Sequence, residues 1–355
     1  MKRVSFVLIF ALLANILCAQ GDNPQSFTRT LLIEQFTTVN CGWCPPGADR
    51  ISEAIGNSSN IIWIKHHAGF GTDFLTNDIH TTMTAFYGGS TFAPAMMVDR
   101  TRFDSGNEGP VANVGQVSDI RGLFNQAKQV TTYCKVYPVQ VAYDPATRIV
   151  TGEASGRFGG DNTWDENTRI TLYLIEDSIV GEQHDYTSHG NWNDYVHMGT
   201  VRDAITDMWG DPLTVNTDDR TFSLPFTYTL PDGYNPNHCK VVAFVYQYDA
   251  SNINNCPVLN AGKSVFLGEA VGIYQPSTLN PQLSIYPNPA SDHVLIEANE
   301  AITRIEVVNS LGQKVYEQTA NCGLQTAIHT EAWPQGMYLV TVTTGKGCAT
   351  RKLFK

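Results

Sequence analysis

The sequence has little charge, and most of the charge it has is negative. Only 16% of its 355 residues are Asp, Glu, Lys or Arg, and 23 basic side chains stand against 34 acidic ones. A chain with this balance repels phosphate backbones and anionic lipid surfaces. The composition therefore argues against nucleic acid as a partner.

Long hydrophobic runs are also missing after the first twenty residues. A membrane-spanning helix needs about 20 consecutive apolar residues. The later apolar runs are short, such as "VVAFVY" at 241–246. We therefore predict no transmembrane segment, and a length that suits two or three domains with separate cores.

The first residues have the pattern of an export signal. Two basic residues precede an apolar run over 4–17, which is too short to span a bilayer. This pattern predicts a secretory signal peptide over 1–19, cleaved after Ala19. A lipoprotein signal that uses Cys18 is the alternative, although Leu17 stands where a small residue is usual. Without its first two basic residues, the mature chain has 21 basic and 34 acidic side chains, a formal charge of about −13.

Eight cysteines are present, and seven remain after the predicted cleavage. In an exported protein they are expected to form disulfides, with one thiol left over. Two of them, Cys41 and Cys44, lie three positions apart in "FTTVNCGWCPPGAD". A structural zinc site needs four ligands, and neither a second C-x-x-C nor a nearby Cys/His pair accompanies this one. We therefore predict no metal site and no cofactor, and two interpretations remain: a redox centre or a structural disulfide.

The surroundings of this pair predict an alternation of strands and helices over 28–130. A buried strand, "LLIEQFTT", precedes the cysteines, and a helix, "GADRISEAIG", follows them. The strand "NIIWIKHH", a helix near 74–87, the strand "APAMMVD" and the helix "QVSDIRGLFNQAKQV" come next. Alternation of this kind is typical of a small α/β domain.

A turn from a strand into a helix favours thiol chemistry at the first cysteine. The helix amides and dipole stabilise a thiolate on Cys41, which makes it the nucleophile. Cys44, one helical turn further on, is then placed to close the disulfide. Pro45 and Pro46 follow, and because they lack amide hydrogens they weaken this stabilisation.

A second feature of this segment is Pro94, immediately before a predicted core strand. Proline is unusual at the entry of a core strand. The order of elements, with this proline, resembles the thioredoxin superfamily over roughly 100 residues. The resemblance implies that a cis proline faces the C-x-x-C, so that Cys41, Cys44 and Pro94 form a catalytic group. The chain departs from the thioredoxin pattern at Asn40, where tryptophan is usual, and at Gln35, where a buried aspartate is usual.

Residues 131–270 change to short apolar runs between turn signals such as "DPAT" and "PDG". This pattern predicts an antiparallel β-sandwich. One stretch, 195–210, predicts a short helix or a long loop between the strands. Cys239 and Cys256 flank a predicted strand and the loop after it, so we predict a disulfide between them, with Cys134 as the unpaired thiol.

Several segments of the first 270 residues resemble one family of Bacteroidetes proteins. They are "LLIEQFTTVNCGWCPPGAD", "YLIEDSIVGEQHDY", "YVHMGTVRDAIT" and "FTYTLPDGYNPNHCKVVAFVY". The family is named after a 28-kilodalton outer membrane protein, and the similarity covers about 30–270. It implies a surface-exposed protein and leaves the molecular activity open.

A stretch rich in Gly, Pro, Ser, Thr and Asn, 271–282, predicts a linker before a final block, 283–355. This block resembles the type A C-terminal sorting domain of type IX secretion, a β-sandwich with tight turns. The resemblance implies the type IX secretion machinery as a partner. Cys322 and Cys348 are additions to the family pattern, and we predict a bridge between them. The residues that carry the resemblance are Tyr286, Pro287, Asn288, Pro289, Gly312, Gly336 and Tyr338.

The predicted architecture is thus an α/β thioredoxin-like domain followed by two antiparallel β-sandwiches. The predicted location is the outer membrane surface or the extracellular space. Two functions from different classes remain open. In one, the protein exchanges thiols and disulfides with a protein substrate. In the other, it is a non-enzymatic adhesin or binding protein that recognises a cell-surface ligand and uses the same fold as a scaffold.

Overall fold

The structure is a computed structural model. The predicted signal peptide (1–19), the linker (271–282), Gly312 and Cys322 lie outside the residues that it describes. Within the described ranges, no helix has the length and apolarity needed to cross a membrane. The described residues are 26–87, 92–103, 106–160, 164–187, 190–270, 283–298, 300–309, 313–319, 323–344 and 347–355.

The first part of the chain alternates strands and helices. All seven residues of the first strand are buried, because this strand is covered on both faces. It pairs in parallel with the second strand and antiparallel with the third. The elements are β1 (Leu31–Thr37), α1 (Cys44–Ile55), β2 (Ile61–His67), α2 (Asp78–Phe86), β3 (Ala95–Val98), β4 (Ala112–Asn113) and α3 (Val117–Gln129).

Capping side chains and proline mark where these helices begin. In α2 the Asn77 side chain accepts hydrogen bonds from the amides of Ile79 and His80, so Asn77 is a conventional N-cap. In α3 the Asp119 carboxylate accepts a hydrogen bond from the Gln116 amide at 2.9 Å. Proline occupies the first turn of α1, where a missing amide hydrogen breaks no helical hydrogen bond.

In its described residues, the part of the chain after α3 consists of strands, with two short 3₁₀ turns at Ile253–Asn255 and Leu267–Glu269. The stretch 195–210, predicted as a helix or a loop, instead supplies the end of one strand and the whole of the next. In these strands some buried positions are polar, such as His197 and Thr200, so apolar and polar residues do not alternate as they do in other strands. The strands are β5 (Cys134–Val136), β6 (Gln140–Asp144), β7 (Ile149–Phe158), β8 (Thr168–Glu176), β9 (Ile179–Asp185), β10 (Gly190–His197), β11 (Thr200–Ala204), β12 (Asp211–Pro212), β13 (Thr221–Thr229), β14 (Cys239–Gln247) and β15 (Val258–Lys263).

One sheet of nine strands crosses the predicted boundary at 130. Its order is β15-β14-β8-β11-β2-β1-β3-β4, with β12 paired to β8 outside this path. The junction lies between β2 and β11, which pair in parallel through Lys65 and Thr200. Strands from both sides of the boundary therefore share a sheet, and β11 covers the edge that β2 would otherwise expose.

The two faces of this sheet are buried against different partners. Because side chains alternate along a strand, Leu32 and Phe36 lie on one face with Tyr173, against α2. Leu31 and Ile33 lie on the other face, under α1 and α3. Further along that second face, the long sheet packs on a second sheet, β13-β7-β5 with β6, around residues of β8 and β14.

A buried ionic group joins the two halves of the first face. The Arg100 guanidinium donates to both carboxylate oxygens of Glu34, at 2.7 and 2.9 Å. Its carbon lies 4.8 Å from the ring centroids of both Phe244 and Tyr246 on β14. Burial by itself raises the pKa of Glu34, but the charge and hydrogen bonds of Arg100, with His66, hold it at about 2. The carboxylate is therefore ionised inside the core.

The last block forms two antiparallel sheets with a core of its own. Residues from both sheets, including Val294, Ile296, Ile305 and Val340, are fully buried between them. This agrees with the predicted antiparallel sandwich. The sheets are β16-β17-β20 and β19-β18-β21-β22. Their strands are β16 (Leu283–Tyr286), β17 (His293–Ala298), β18 (Ile302–Asn309), β19 (Lys314–Thr319), β20 (Gln325–His329), β21 (Met337–Thr344) and β22 (Gly347–Phe354).

Candidate functional site

The cysteine loop lies between β1 and α1. Cys41 and Cys44 form a disulfide, with their Cα atoms 5.4 Å apart. The Cys44 amide donates to the carbonyl oxygen of Cys41 at 3.0 Å, and the Cys41 amide donates to that of Thr38 at 3.1 Å. Cys41 is 4% exposed and Cys44 2% exposed. The loop is thus a tight turn that carries its disulfide close to, but beneath, the surface.

Pro94 packs against the start of α1. The Ala93–Pro94 peptide bond is cis. A β-carbon added to Gly47, three residues after Cys44, would lie 2.9 Å from the Pro94 β-carbon. Only a residue without a side chain permits this approach. Cys41, Cys44 and Pro94, which the sequence assigns to one group, therefore lie around the same end of α1.

Beneath this loop, Gln35 replaces the aspartate that the thioredoxin pattern expects. The side chain of Gln35 is fully buried, on the face of β1 that α1 and α3 cover. Among the described residues, neither its amide nitrogen nor its amide oxygen has a hydrogen-bond partner. A neutral amide cannot accept a proton at neutral pH, so this position offers no internal base to the cysteines.

A hairpin from the second half of the chain lies across the cysteine loop. Strands β9 and β10 form a two-stranded sheet of their own, with an irregular register between Trp192 and Tyr195. The His184 amide donates to the carbonyl oxygen of Val39 at 2.8 Å, and the Tyr186 amide donates to that of Gly42 at 2.9 Å. These bonds attach the hairpin to the backbone on both sides of Cys41.

Gln183 makes a buried side-chain contact between the hairpin and the loop. This residue is 2% exposed. Its amide nitrogen lies 3.2 Å from the carbonyl oxygens of Val39 and Cys41 and 3.3 Å from that of Thr38. The sequence offered no signal for this contact, because Gln183 and Cys41 are 142 positions apart.

Two aromatic side chains border the loop on its solvent side. Trp43, inside the C-x-x-C, is 55% exposed, and Tyr186, at the end of the hairpin, is 65% exposed. Their rings meet edge to face with centroids 5.8 Å apart. A β-carbon on Gly42 would lie only 2.6 Å from the Tyr186 ring, so the ring covers the middle of the loop.

Several histidines lie under the base of the hairpin. His67 pairs with Asp73 through Nδ1 and Oδ2 at 2.8 Å, and its ring centroid is 5.4 Å from that of His197 on β10. Burial lowers the pKa of His67, takes that of His80 well below its usual value, and lowers that of His197 to about 4. These imidazoles are therefore neutral at pH 7. Within the described part of the chain, no three His, Cys, Asp or Glu side chains have an arrangement that could hold a metal ion.

The predicted disulfide between Cys239 and Cys256 is wrong: both are free, buried thiols, as is Cys134. Cys239 is the first residue of β14, whereas the Cys256 thiol donates to the carbonyl oxygen of Asp249, beyond the last residue of that strand. At about 3.3 Å per residue the strand spans roughly 26 Å. Bridged cysteines need Cα atoms within about 7 Å. Burial raises the pKa of Cys134 and Cys239, so these thiols are unreactive.

In the last block, two residues of the sorting motif hold the end of the chain. The Asn288 side chain donates to the carbonyl oxygen of Lys352 and accepts a hydrogen bond from the Phe354 amide, both at 2.9 Å. Gly336 and Lys355 exchange two backbone hydrogen bonds at 3.0 Å. The predicted bridge from Cys322 to Cys348 stays a prediction, because Cys322 and the side chain of Cys348 lie outside the description.

The other described motif residues lie close to this end of the chain. The peptide bonds that precede Pro287 and Pro289 are both cis. Tyr286 is 43% exposed at the end of β16. Tyr338 is buried and donates its hydroxyl to the carbonyl oxygen of Pro334 at 2.7 Å.

Comparisons with known proteins identify two segments. The family described as "Outer membrane protein Omp28" matches residues 89–264. The family described as "Secretion system C-terminal sorting domain" matches residues 284–355. Both matches confirm the resemblances drawn from the sequence. No curated protein matches the chain.

Two solved structures are similar to this one. HBP35 of Porphyromonas gingivalis has a TM-score of 0.57 and 20% sequence identity, over 93% of this chain and 99% of that chain. The crystal structure of a domain of the outer membrane lipoprotein Omp28 from Porphyromonas gingivalis has a TM-score of 0.26 and 17% identity, over 38% of this chain and 88% of that one. At 20% identity, the similarity to HBP35 concerns the fold alone. Residues 89–264 are thus similar to the Omp28 family of outer membrane proteins and residues 284–355 to a type IX sorting domain, and these two matches place the protein at the outer membrane surface or outside the cell.

Proposed function

We propose that this surface protein carries out thiol–disulfide exchange on polypeptide substrates through Cys41 and Cys44. The observation that carries the proposal is the disulfide itself, closed across the entry of α1. Two features add support: Pro94 packs on the same helix, and the order β1-α1-β2-α2-β3-β4-α3 agrees with a thioredoxin-like unit.

The chemistry begins with the reduced pair. The Cys41 thiolate attacks one sulfur of a substrate disulfide, the substrate S–S bond breaks, and its second sulfur leaves as a thiolate that takes a proton from water. The Cys44 thiolate then attacks Cys41 Sγ in the mixed disulfide, which releases the other substrate sulfur and forms the Cys41–Cys44 bond. Two electrons pass from the protein to the substrate. With Gln35 in place of a carboxylate, protons are exchanged with solvent.

A turnover assay tests this proposal. With dithiothreitol as the reductant that restores the Cys41–Cys44 dithiol, the purified mature chain should accelerate the reduction of insulin disulfides. The Cys41→Ser variant should reduce the rate to that of dithiothreitol alone, because it removes the nucleophile. Cys44→Ser should instead accumulate a mixed disulfide with insulin. Equal rates for the wild type and Cys41→Ser would refute the proposal.

The low exposure of the pair favours a second candidate function, that of a surface-binding protein whose disulfide is static. Cys41 and Cys44 lie beneath the hairpin and are almost inaccessible to solvent. The reduction potential separates the two candidates. Structural disulfides lie below about −300 mV, whereas exchange-active pairs lie between about −270 and −120 mV. A potential below −300 mV, measured in glutathione or dithiothreitol buffers, would favour the binding protein.

A further inference from the structure

The hairpin β9–β10 is attached to the rest of the protein differently from the other strands around the site. It forms a separate two-stranded sheet, whereas β1, β2 and β3 belong to the nine-stranded sheet. Lifting the hairpin from the cysteine loop therefore leaves the hydrogen-bond ladders of the main sheet intact. On the loop side it is attached by the amides of His184 and Tyr186 and by the side chain of Gln183.

These attachments converge on the backbone that carries Cys41. The Gln183 amide nitrogen lies within hydrogen-bond distance of three carbonyl oxygens of that loop, including the carbonyl of Cys41 itself. The same nitrogen lies 2.9 Å from the carbonyl oxygen of His184 in its own strand, and its two hydrogens are shared among these four acceptors. Each of these loop carbonyls also accepts a backbone amide, so losing this side chain leaves none of them unpaired, but it removes a buried donor that the hairpin gives to the loop, and detachment of the hairpin becomes easier.

The other end of the hairpin is packed against aromatic rings. Phe74 packs against Gly181, where an added β-carbon would lie 2.4 Å from its ring, and it also meets the ring of His197. His197 in turn contacts His67 of β2. The base is thus held by the contact of His197 with the buried His67 ring and by the Phe74 ring, which is 54% exposed, while the end near Cys41 is held by hydrogen bonds and the exposed ring of Tyr186.

We infer that the hairpin β9–β10 is a cover that selects the partners of Cys41, with Gln183 as the positioning residue that holds it closed and Tyr186 as the ring that covers Gly42. The inference rests on the proposed exchange function. While the hairpin is closed, a small thiol compound reaches the sulfur at the edge of the loop, but a folded protein dithiol is too large to do so. A large partner reaches the sulfur only after the hairpin has been displaced. The hairpin therefore slows large partners more than small ones.

Two dithiols of different size test this selection. The rate at which each reduces the Cys41–Cys44 disulfide is measured for the wild type, Gln183→Ala and Gln140→Ala, the last being an exposed glutamine on β6. One dithiol is dithiothreitol and the other is a reduced, folded thioredoxin. We expect Gln183→Ala to accelerate reduction by the folded dithiol about tenfold, corresponding to about 1.4 kcal/mol. Reduction by dithiothreitol should change less than twofold, and Gln140→Ala should behave as the wild type.

A second variant keeps the test valid if Gln183→Ala does not fold. Tyr186→Ser removes an exposed ring and leaves the backbone hydrogen bonds of the hairpin in place, so the fold should persist. It should shift the ratio of the two rates in the same direction as Gln183→Ala. A cover slows reduction and reoxidation of the Cys41–Cys44 pair by the same factor. The reduction potential of the pair should therefore remain that of the wild type in both variants.

Hydrogen exchange measures the cover without any thiol chemistry. In Gln183→Ala, the amides of His184 and Tyr186 should exchange faster, while amides in β1 and β2 should not change. Equal acceleration by both dithiols, no acceleration, or unchanged exchange at these two amides would overturn the inference. If the amides exchange faster but no variant reduces insulin, the proposed function fails and the cover remains. If insulin is reduced but the two dithiols respond alike, only the cover is refuted.

Discussion

At the scale of single residues, the protein places an ionised pair inside its core. Glu34 on β1 and Arg100 after β3 are both fully buried, and Arg100 lies over the rings of Phe244 and Tyr246. Neither charge can be hydrated there, so each depends on the other. The pair therefore joins β1 and the residue after β3 to two aromatic side chains that β14 contributes from the second half of the chain.

The substitution Arg100→Met tests this dependence. It keeps most of the side-chain volume and leaves the Glu34 carboxylate buried without its guanidinium. We expect a loss of about 3–5 kcal/mol in the free energy of unfolding, measured by urea denaturation. The double variant with Glu34→Gln should recover part of this loss, because it removes the stranded charge. A loss below about 1 kcal/mol in Arg100→Met would contradict the dependence.

The residue scale also shows where prediction from sequence ends. Cys41, Cys44 and Pro94 could be grouped because the C-x-x-C spacing and a proline before an apolar strand resemble the thioredoxin superfamily, and that resemblance implies that the three residues lie together. Gln183 has no such mark. It is a polar residue in a stretch of polar residues, and only its position in the folded chain distinguishes it from exposed glutamines.

At the scale of elements, the hairpin and β2 meet through imidazoles that burial keeps neutral. His197 on β10, His67 on β2 and His80 on α2 all have a pKa below the ordinary value of about 6.5. The unfolded chain therefore binds more protons than the folded chain as the pH falls below 6.5. Folding stability is consequently lost as the pH falls from about 6.5 towards 4.

The variant His197→Gln isolates one of these groups. Between pH 7 and pH 4 we expect the wild type to lose about 2 kcal/mol more unfolding free energy than the variant, since the variant lacks one imidazole that must take up a proton. Denaturant titrations at pH 7, 5.5 and 4 measure the difference. Asp99, whose pKa burial raises to about 6, acts in the opposite direction, but it is common to both proteins and cancels. Parallel pH profiles would contradict this assignment.

Strands and helices were predicted where apolar residues recur at a regular spacing and were missed where they do not. The strands and helices up to α3 follow from buried apolar runs and helical periodicity. The stretch 195–210 did not, because its strands carry buried polar side chains such as His197 and Thr200. In a sequence, a polar residue that is buried and hydrogen-bonded cannot be told from an exposed polar residue. The periodicity of apolar residues alone therefore cannot identify such a strand.

At the scale of the whole molecule, the last block carries its own core and holds its own end. Its two sheets pack on each other, and the Asn288 side chain forms hydrogen bonds to β22 at Lys352 and Phe354. The sorting signal is thus displayed as a folded sandwich whose final strand is held in place. We therefore expect recognition by the secretion machinery to depend on the fold of this block.

Deletion and substitution test this dependence. Deleting 283–355 should leave the protein in the periplasm, because the sorting domain is gone. The subtler variant Asn288→Ala should reduce surface exposure several-fold, since it removes two hydrogen bonds that hold β22. Surface biotinylation and cell fractionation measure both. Unchanged surface exposure of the deletion variant would contradict the sorting role, and unchanged exposure of Asn288→Ala alone would show that the last strand holds without it.

The sequence by itself determined the export and surface location, the sorting block, the all-β character after α3 and the three residues around the start of α1. These follow from local patterns, in which composition, spacing and periodicity act over a few neighbouring residues. Only the tertiary structure decided that β11 joins β2 in one nine-stranded sheet, that Cys239 and Cys256 lie too far apart to be bridged, and that the hairpin β9–β10 covers Cys41. The physical reason is that these features depend on contacts between backbone groups and buried polar side chains that are far apart in the chain. Hydrogen bonds of that kind produce no periodic pattern in the sequence, so they cannot be predicted from it.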